Sequence, residues 1–417
     1  MLEFATRSRV ADNREPRKGA QMRWIVGLVL VVSAGCSRGS DAAPDGDIAP
    51  AAVVTIRTRT PPALLAIREE AEAQWRTLTP SGIATYETTV TGPYRVVVQC
   101  ESGEVSMIQY ARTTDEARSF DLFCGSADSL FHVRGEMPKP GLVALGGAGS
   151  SSFRSSWSFD LQVPAGTYDL LMFSGDDSTG YDQLGIRAGL TVAGDTELGS
   201  IDLAQYNPQP LVSTTFSVTN PLIGERLSAN LAFFRDDRGT VVSSVRSNGA
   251  DSVVSKLAPA SFRSAIGTQA MSLVSVGMDS SAGAQRNYRR RVTLHDPPPG
   301  AAASAAQLDR IAGATFDATA DRLSAHWTAM PPFDAITMVW STVSPDGARR
   351  VNHESITSRA FREATGAANA SATLDVPHAP GFQDTWRPDL TGSYAYTLLA
   401  SVTSNGADAS SAIVEAR

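Results

Sequence analysis

Several features on which enzymatic function commonly depends are absent from this sequence of 417 residues. Its five histidines are scattered without metal-ligand spacing, and neither a G-x-S-x-G elbow nor a G-x-x-x-x-G-K-[ST] loop occurs. The pair His353-Glu354 begins like a zincin motif, but Thr357 occupies the position of the second histidine. We therefore predict no zinc protease, no nucleophile-elbow hydrolase and no P-loop enzyme, and we expect no enzymatic activity.

Basic residues are outnumbered, and lysine is scarce: 36 lysines and arginines face 43 acidic residues, and the formal net charge is −7. A negative field repels nucleic-acid phosphates, so nucleic acid is not an expected partner. The run Arg289-Arg290-Arg291 is the one concentrated basic segment. We interpret it as a solvated strand edge.

Cysteine is also scarce, with three residues in the chain and no C-x-x-C spacing for zinc or redox chemistry. Cys100 and Cys124 predict a disulfide bond, provided that the chain is exported to an oxidising compartment. Closing a loop of roughly 25 residues would stabilise the fold by about 3 kcal/mol. Two buried free thiols are the alternative.

The apolar run Trp24 to Val32 is far shorter than the roughly 20 residues that span a bilayer, and small residues follow it. Ala34-Gly35-Cys36 closes this segment and resembles the lipobox of bacterial lipoproteins, with Ser33 where that family usually has leucine. The resemblance implies a signal peptide over 1–35, whose true start is predicted at Met22, and a palmitate-type lipid on Cys36.

Ser37 stands where an aspartate would resemble an inner-membrane retention signal, so we expect lipid anchoring at the outer membrane of the cell envelope. Residues 36–52 are rich in small residues, Pro and Asp and lack an apolar period. They predict a flexible tether between this anchor and the folded part.

After the tether, short β-branched and aromatic runs alternate with Gly, Pro, Asn and Asp clusters. This pattern predicts an all-β fold of tandem β-sandwich domains. We divide it into four modules: a β-rich first module (53–125) with Cys100 and Cys124, a second (126–208), a β-rich third (209–300) and a fourth (301–417).

In the first module the predicted strands 86–90, 94–99, 105–111 and 119–123 suggest a meander. In a meander, however, about 9.6 Å would separate Cys100 from Cys124, too far for a disulfide unless the sheet twists or the pairing differs. Residues 63–78 fit either an amphipathic helix or a hairpin. We favour the hairpin because the surrounding elements are strands.

The segment Phe159 to Phe173 alternates apolar and polar residues on both sides of a Pro164-Ala165-Gly166 turn. Its Pro-x-Gly-x-Tyr-x-Leu pattern resembles the carboxypeptidase regulatory-like, or prealbumin-like, sandwich over roughly 80 residues of the second module. That resemblance implies a non-catalytic sandwich. In the third module, Phe233 to Val242 predicts a hairpin turned at Asp237-Arg238-Gly239.

Pro297-Pro298-Pro299 begins the clearest linker, 297–304. The order of Trp327, Trp340 and the late Tyr394-x-Tyr396 strand in the fourth module resembles a fibronectin type III domain over about 110 residues. The octapeptides 244–251 and 401–408 agree at seven of eight positions, and both contain Asn-Gly as a type I′ hairpin turn requires. Convergent turn chemistry and module duplication are the two explanations.

Two candidate sites remain. Asp176, Asp177 and Asp182 share one loop and could offer oxygen ligands to Ca²⁺, although they lack the EF-hand spacing and a solvated hairpin loop is the alternative. Trp386, in a predicted loop, is the candidate platform for an envelope glycan. Trp327 and Trp340 lie in predicted strands and are expected in the core.

We therefore expect a non-catalytic lipid-anchored envelope protein that presents β-sandwich modules for binding, adhesion or envelope organisation. Its partners would be the membrane, through the anchor, and an envelope glycan or protein. No cofactor is expected apart from the candidate Ca²⁺. The alternative is an envelope hydrolase acting on glycan or peptide through paired carboxylates, which a single sequence cannot bring together.

Overall fold

The computed structural model confirms an all-β fold. It describes residues 52–58, 62–82, 85–100, 104–111, 118–122, 130–139, 141–146, 150–154, 158–163, 165–176, 180–235, 238–246, 251–262, 267–279, 285–347, 349–382, 387–404 and 407–416. Within these ranges, no helix has both the length and the apolar character needed to cross a membrane.

The first two modules contain fourteen strands among the described residues. The first module has β1 (Ala52–Thr58), β2 (Leu64–Glu69), β3 (Arg76–Thr77), β4 (Thr85–Val90), β5 (Tyr94–Gln99), β6 (Glu104–Tyr110) and β7 (Arg118–Leu122). The second has β8 (Phe131–Glu136), β9 (Gly141–Gly146), β10 (Ser150–Arg154), β11 (Ser158–Val163), β12 (Gly166–Asp176), β13 (Gly180–Val192) and β14 (Thr196–Ser200), then a 3₁₀ turn, Leu203–Tyr206.

The remaining strands follow in the same way. Residues 209–300 contain β15 (Gln209–Pro210), which pairs with β13 of the second module, and then β16 (Val212–Val218), β17 (Arg226–Arg235), β18 (Arg238–Arg246), β19 (Ser252–Leu257), β20 (Thr268–Asp279) and β21 (Gln285–His295). Residues 301–417 contain β22 (Ala303–Ala305), which pairs with β16 of the third module, and then β23 (Thr315–Thr319), β24 (Arg322–His326), β25 (Ala335–Val343), β26 (Arg350–Ser358), helix α1 (Arg359–Thr365), β27 (Ser371–Asp375), β28 (Ser393–Ser404) and β29 (Ala407–Ala416).

The first module is a sandwich and not a meander. Strands β4, β1 and β7 form one sheet, and β3, β2, β5 and β6 belong to the other. The four predicted strands exist, but the chain crosses between sheets after β4 and again after β6, which contradicts the meander. Strands β2 and β3 pair antiparallel, so the hairpin prediction for 63–78 is confirmed.

The second module packs the sheet β11-β8-β14 against the sheet β10-β9-β12-β13-β15. The burial of β11 alternates along the strand as predicted, with Phe159, Leu161 and Val163 inside. The turn after β11 joins the two sheets and does not close a hairpin, because β11 pairs with β8 whereas β12 pairs with β9 and β13.

The third and fourth modules share one arrangement of three strands against four. In the third, β19-β16-β22 faces β18-β17-β20-β21; in the fourth, β23-β24-β27 faces β26-β25-β28-β29. This is the sandwich architecture expected from the fibronectin type III resemblance. The predicted hairpin of β17 and β18 is confirmed, although Arg238 and Gly239 lie in β18 and not in its turn.

One sheet of twelve strands runs through the first, third and fourth modules in the order β18-β17-β20-β21-β29-β28-β25-β26-β6-β5-β2-β3. Two strand pairs join the modules. Strands β21 and β29 pair antiparallel from Gln285↔Ala416 to Leu294↔Ala407, and β26 pairs parallel with β6. The described residues of these three modules are therefore connected by continuous backbone hydrogen bonding.

The interpretation of Arg289-Arg290-Arg291 as a solvated strand edge is wrong. These residues lie on β21, which has β20 on one side and β29 on the other, and Arg290 is fully buried. Alternation along the strand places Arg290 on one face of the sheet and its two neighbours on the opposite face.

The two similar octapeptides have different structures. Residues 401–408 join β28 to β29, which pair directly up to Ser404↔Ala407, so this hairpin is confirmed. Residues 244–251 connect β18 to β19, which lie in different sheets, so no hairpin forms there. The octapeptides occupy non-equivalent positions in their sandwiches, which favours convergent turn chemistry over duplication as the reason for their similarity.

Candidate functional site

The sequence-predicted site residues are only partly visible in the structure. Cys36, Cys124, Asp177 and Trp386 lie outside the described residues. Cys100 is buried at the end of β5 and belongs to the core of the first module. The prediction that Trp327 and Trp340 pack in the core is confirmed, since both are buried in the fourth module.

The candidate Ca²⁺ ligands Asp176 and Asp182 lie on β12 and β13, respectively. The carboxylate of Asp182 forms an ion pair with Lys256 of β19, which satisfies part of its charge. Among the described residues, no group of three or more His, Cys, Asp or Glu side chains could hold a metal ion. The Ca²⁺ site remains a prediction because Asp177 lies outside these residues.

An open groove of about 410 Å³ lies along β8, β11 and β14 in the second module. The polar side chains that line it are Arg134, Glu136, Ser158, Asp160, Glu197 and Ser200. We call this set, together with His132, the groove cluster. The outward positions of β11 that face this groove are polar, while its inward positions fill the core.

The groove cluster is held together by one arginine and one histidine. Arg134 Nε lies 3.1 Å from Asp160 Oδ2, and Arg134 Nη1 lies 3.4 Å from Glu197 Oε1. His132 Nδ1 lies 2.6 Å from Asp160 Oδ1. Glu136 adds a further exposed carboxylate, so the groove is acidic in balance.

Electrostatics hold the Asp160 carboxylate in its charged form. The hydrogen bond with His132, together with Arg134, keeps the pKa of Asp160 below its usual range. A general acid requires the opposite shift, a carboxyl whose pKa is raised towards neutrality. The arrangement is therefore suited to recognising hydroxyl or amino groups through fixed charges.

A β-bulge shapes one wall of the groove. Glu197 is opposite Arg134 and Ser200 is opposite Glu136, so two residues of β14 face Gly135 alone. One of them, Gly199, has a φ of +66°, which glycine adopts without strain. A Cβ at Gly135 would lie 2.7 Å from the ring of Phe159, so glycine is required there for that ring to pack.

A second polar cluster is buried where the third and fourth modules meet. Arg290 Nη2 lies 2.6 Å from Glu225 Oε2, and these side chains are 0% and 1% exposed. Arg310 Nε lies 2.9 Å from Glu225 Oε1. We call Arg290, Glu225 and Arg310 the buried clasp.

Backbone and amide groups complete the buried clasp. Arg290 donates to the carbonyl oxygens of Asn220 and Leu308. The side chain of Asn220 exchanges two hydrogen bonds with the backbone of Gln307, at 2.7 and 2.9 Å. The segment after the predicted linker is thus fixed to the third module, as is β22, which pairs parallel with β16.

Sequence reasoning missed both clusters. The groove cluster draws its side chains from three strands spread over about 70 residues, and no local spacing reveals it. Period-two alternation within the arginine run could have placed Arg290 opposite its neighbours. It could not have identified Glu225, which lies 65 positions away in the sequence.

No protein-family model matches this sequence, and no curated protein matches it. Among solved structures, the chain is similar to the Bacillus anthracis TIE protein, with 10% identity and a TM-score of 0.16, over 61% of this chain. The chain spans 50% of the length of that protein. It is also similar to the FN1-FN3 domains of chicken CNTN1, with 8% identity, a TM-score of 0.14 and coverage of 81% and 84% of the two chains. Likenesses at this level carry no information about function.

Proposed function

We propose that this protein is a non-catalytic, lipid-anchored protein of the bacterial outer membrane that holds β-sandwich modules in a fixed array for binding or envelope organisation. The observation that carries the proposal is the twelve-stranded sheet. Modules joined by strand pairs keep one relative orientation, whereas modules on flexible linkers move independently.

The buried clasp supports the same proposal. It ties the segment from Gln307 to Arg310 to the third module, next to the strand pair β21 and β29. On that strand pair, Arg286 and Glu415 form a further ion pair at 2.8 Å. A rigid joint of this kind suits a protein that displays surfaces of different modules at a set distance from one another.

The groove cluster is the surface that we assign to ligand binding. Its carboxylates, arginine and serines are suited to a polyhydroxylated or amino-bearing envelope glycan. A paired-carboxylate hydrolase would need one carboxyl with a raised pKa. In contrast, the three described carboxylates whose pKa values shift, Glu69, Asp160 and Asp389, all shift downwards.

The proposal is tested with the chain Ser37–Arg417, which contains every described residue. It is incubated with envelope glycans, esters and peptides, and captured material and released products are both measured. We expect capture without turnover, and at least a tenfold loss of capture with Asp160→Asn combined with Arg134→Gln. The matched control is Asp375→Asn with Arg322→Gln, an exposed ion pair of the fourth module.

If the wild-type chain released products, and substitution of a single groove carboxylate abolished that turnover, the non-catalytic proposal would be refuted. Equal capture by the groove variant, the control variant and the wild type would refute the groove as the binding surface.

A further inference from the structure

The outer face of β17, β20 and β21 carries arginines beside exposed apolar side chains. Arg226, Val276 and Arg289 are directly opposite one another on the three strands and therefore lie on one face. Arg291 and Met278 belong to the same face, because each lies two residues from a member of that row. We call these five residues the arginine face.

The guanidinium groups on this face have few partners. Among the described residues, the guanidinium groups of Arg226 and Arg289 make no hydrogen bond or ion pair, and both side chains are exposed. Arg291 donates from Nη2 to Ser272 Oγ at 2.8 Å, but its Nε is buried without an acceptor in the described part of the chain.

The arginines also repel one another. Desolvation lowers the pKa of Arg291, and the charge of Arg289 lowers it further. Asp408 acts in the opposite direction, but its carboxylate lies 2.9 Å from His295 Nε2. The positive charge on this face is therefore only partly compensated by the described residues.

Apolar side chains distinguish this face from a simple phosphate site. Val276 is 39% exposed and Met278 is 69% exposed. Ile223, in the loop that leads into Arg226, is fully exposed. A free phosphate gains nothing from these side chains, whereas an interface of charged headgroups and acyl chains accommodates both the arginines and the apolar groups.

We propose that the arginine face docks the third module onto an anionic lipid surface, with Arg226, Arg289 and Arg291 on headgroup phosphates and Met278 at the headgroup–acyl boundary. Arg226 and Arg289 are two strand spacings apart, about 9.6 Å, so their guanidinium groups can reach phosphates of different lipids. The inference goes beyond the proposed function and does not depend on the Cys36 anchor.

The test uses Ser37–Arg417, which lacks the anchor, with vesicles of phosphatidylcholine alone or with 30% phosphatidylglycerol. We expect sedimentation with the anionic vesicles at low salt and its loss at high salt, because salt screens surface charge. Arg289→Gln with Arg291→Gln should weaken this binding about 25-fold, at about fivefold for each arginine removed. Arg187→Gln with Arg350→Gln, two strand arginines elsewhere, makes the same change in net charge and should leave binding unchanged.

A second double variant distinguishes a loss of lipid binding from a loss of folding. Arg226→Gln with Met278→Ser changes two exposed side chains and should weaken binding while its thermal unfolding matches the wild type. Equal binding to both kinds of vesicle, or equal losses with the control variant, would overturn the proposal. Saturable binding of inorganic phosphate without vesicle binding would overturn the lipid as the source of the phosphate.

Discussion

At the scale of single residues, the decisive side chains are polar groups in unusual places. Arg290 is a long, charged side chain with no exposed surface, and such residues are rarely buried unless they are paired. Its partner Glu225 also binds Arg310, so one carboxylate compensates two guanidinium groups. The stability of this region therefore depends strongly on Glu225.

We expect Glu225→Gln to lower the free energy of unfolding by about 3–5 kcal/mol, because it leaves Arg290 buried without its counter-charge. Urea unfolding of Ser37–Arg417 measures this. The control Arg322→Gln removes an exposed ion pair and should cost less than about 1 kcal/mol. A Glu225 variant as stable as the control would show that the clasp contributes no stability.

A second prediction about stability concerns Gly135, which lines the groove. Gly135→Ala should destabilise the second module by about 1–3 kcal/mol, because its Cβ would meet the ring of Phe159 at 2.7 Å and the carbonyl of Gly199 at 3.0 Å. The control is Gly194→Ala, where a Cβ would have no neighbour within 4 Å. Denaturant unfolding compares the two variants, and equal stabilities would contradict the packing argument.

At the scale of elements, several strands are buried on both faces. On β2 and β5, one face packs in the core of the first module while Leu64, Ala66 and Val97 pack with Ala379 of the fourth. Strands β9 and β12 likewise contribute to two cores. Continuous apolar runs such as Val96-Val97-Val98 have this explanation, because a strand covered on one face alternates apolar and polar residues.

The predicted Cys100–Cys124 disulfide depends on how the strands of the first module are arranged. Strand β7 ends at Leu122, two residues before Cys124, and lies in the sheet that faces β5 and Cys100. In a meander the two cysteines would be too far apart for a disulfide. Because the strands form a sandwich instead, that objection no longer applies. We expect peptide mapping of exported Ser37–Arg417, without reductant, to recover one Cys100–Cys124 peptide.

Replacing both cysteines by serine should lower the free energy of unfolding by about 3 kcal/mol. The control is the same fragment mapped after reduction, which should yield two separate peptides. Recovery of both residues as free thiols from the exported, unreduced protein would refute the disulfide.

At the scale of the whole molecule, the joints between modules depend on pairings between remote parts of the chain. The parallel pair of β26 and β6 unites residues about 250 positions apart, and Gln109 Nε2 donates to Ser355 Oγ at 2.8 Å across that joint. Because the closure of long loops is slow, we expect these joints to form after the individual sandwiches.

Anchoring is also a property of the whole molecule. We expect Cys36→Ala to release the protein from membranes washed at high salt, because the wash removes electrostatically bound protein. Fractionation and immunoblotting measure this. Ser37→Asp is the matched variant, expected to remain membrane-bound but to move to the inner membrane. If the Cys36 variant stayed with washed membranes as the wild type does, the anchor assignment would be wrong.

The sequence by itself determined the local structure. Alternation of apolar and polar residues located β11, and turn residues located the hairpin of β28 and β29, because both signals arise between near neighbours. The expectation that Trp327 and Trp340 are core residues was confirmed for the same reason: Trp340 lies on the inner face of β25, and Trp327 directly follows β24.

Only the tertiary structure decided which strands pair and which side chains meet. The sequence could not show that β4 and β5 belong to different sheets, that the arginine run lies in the middle of a sheet, or that Glu225 reaches Arg290. The groove cluster likewise exists only after β8, β11 and β14 are brought together. These outcomes depend on contacts between residues far apart in the chain, whose energies no local pattern encodes.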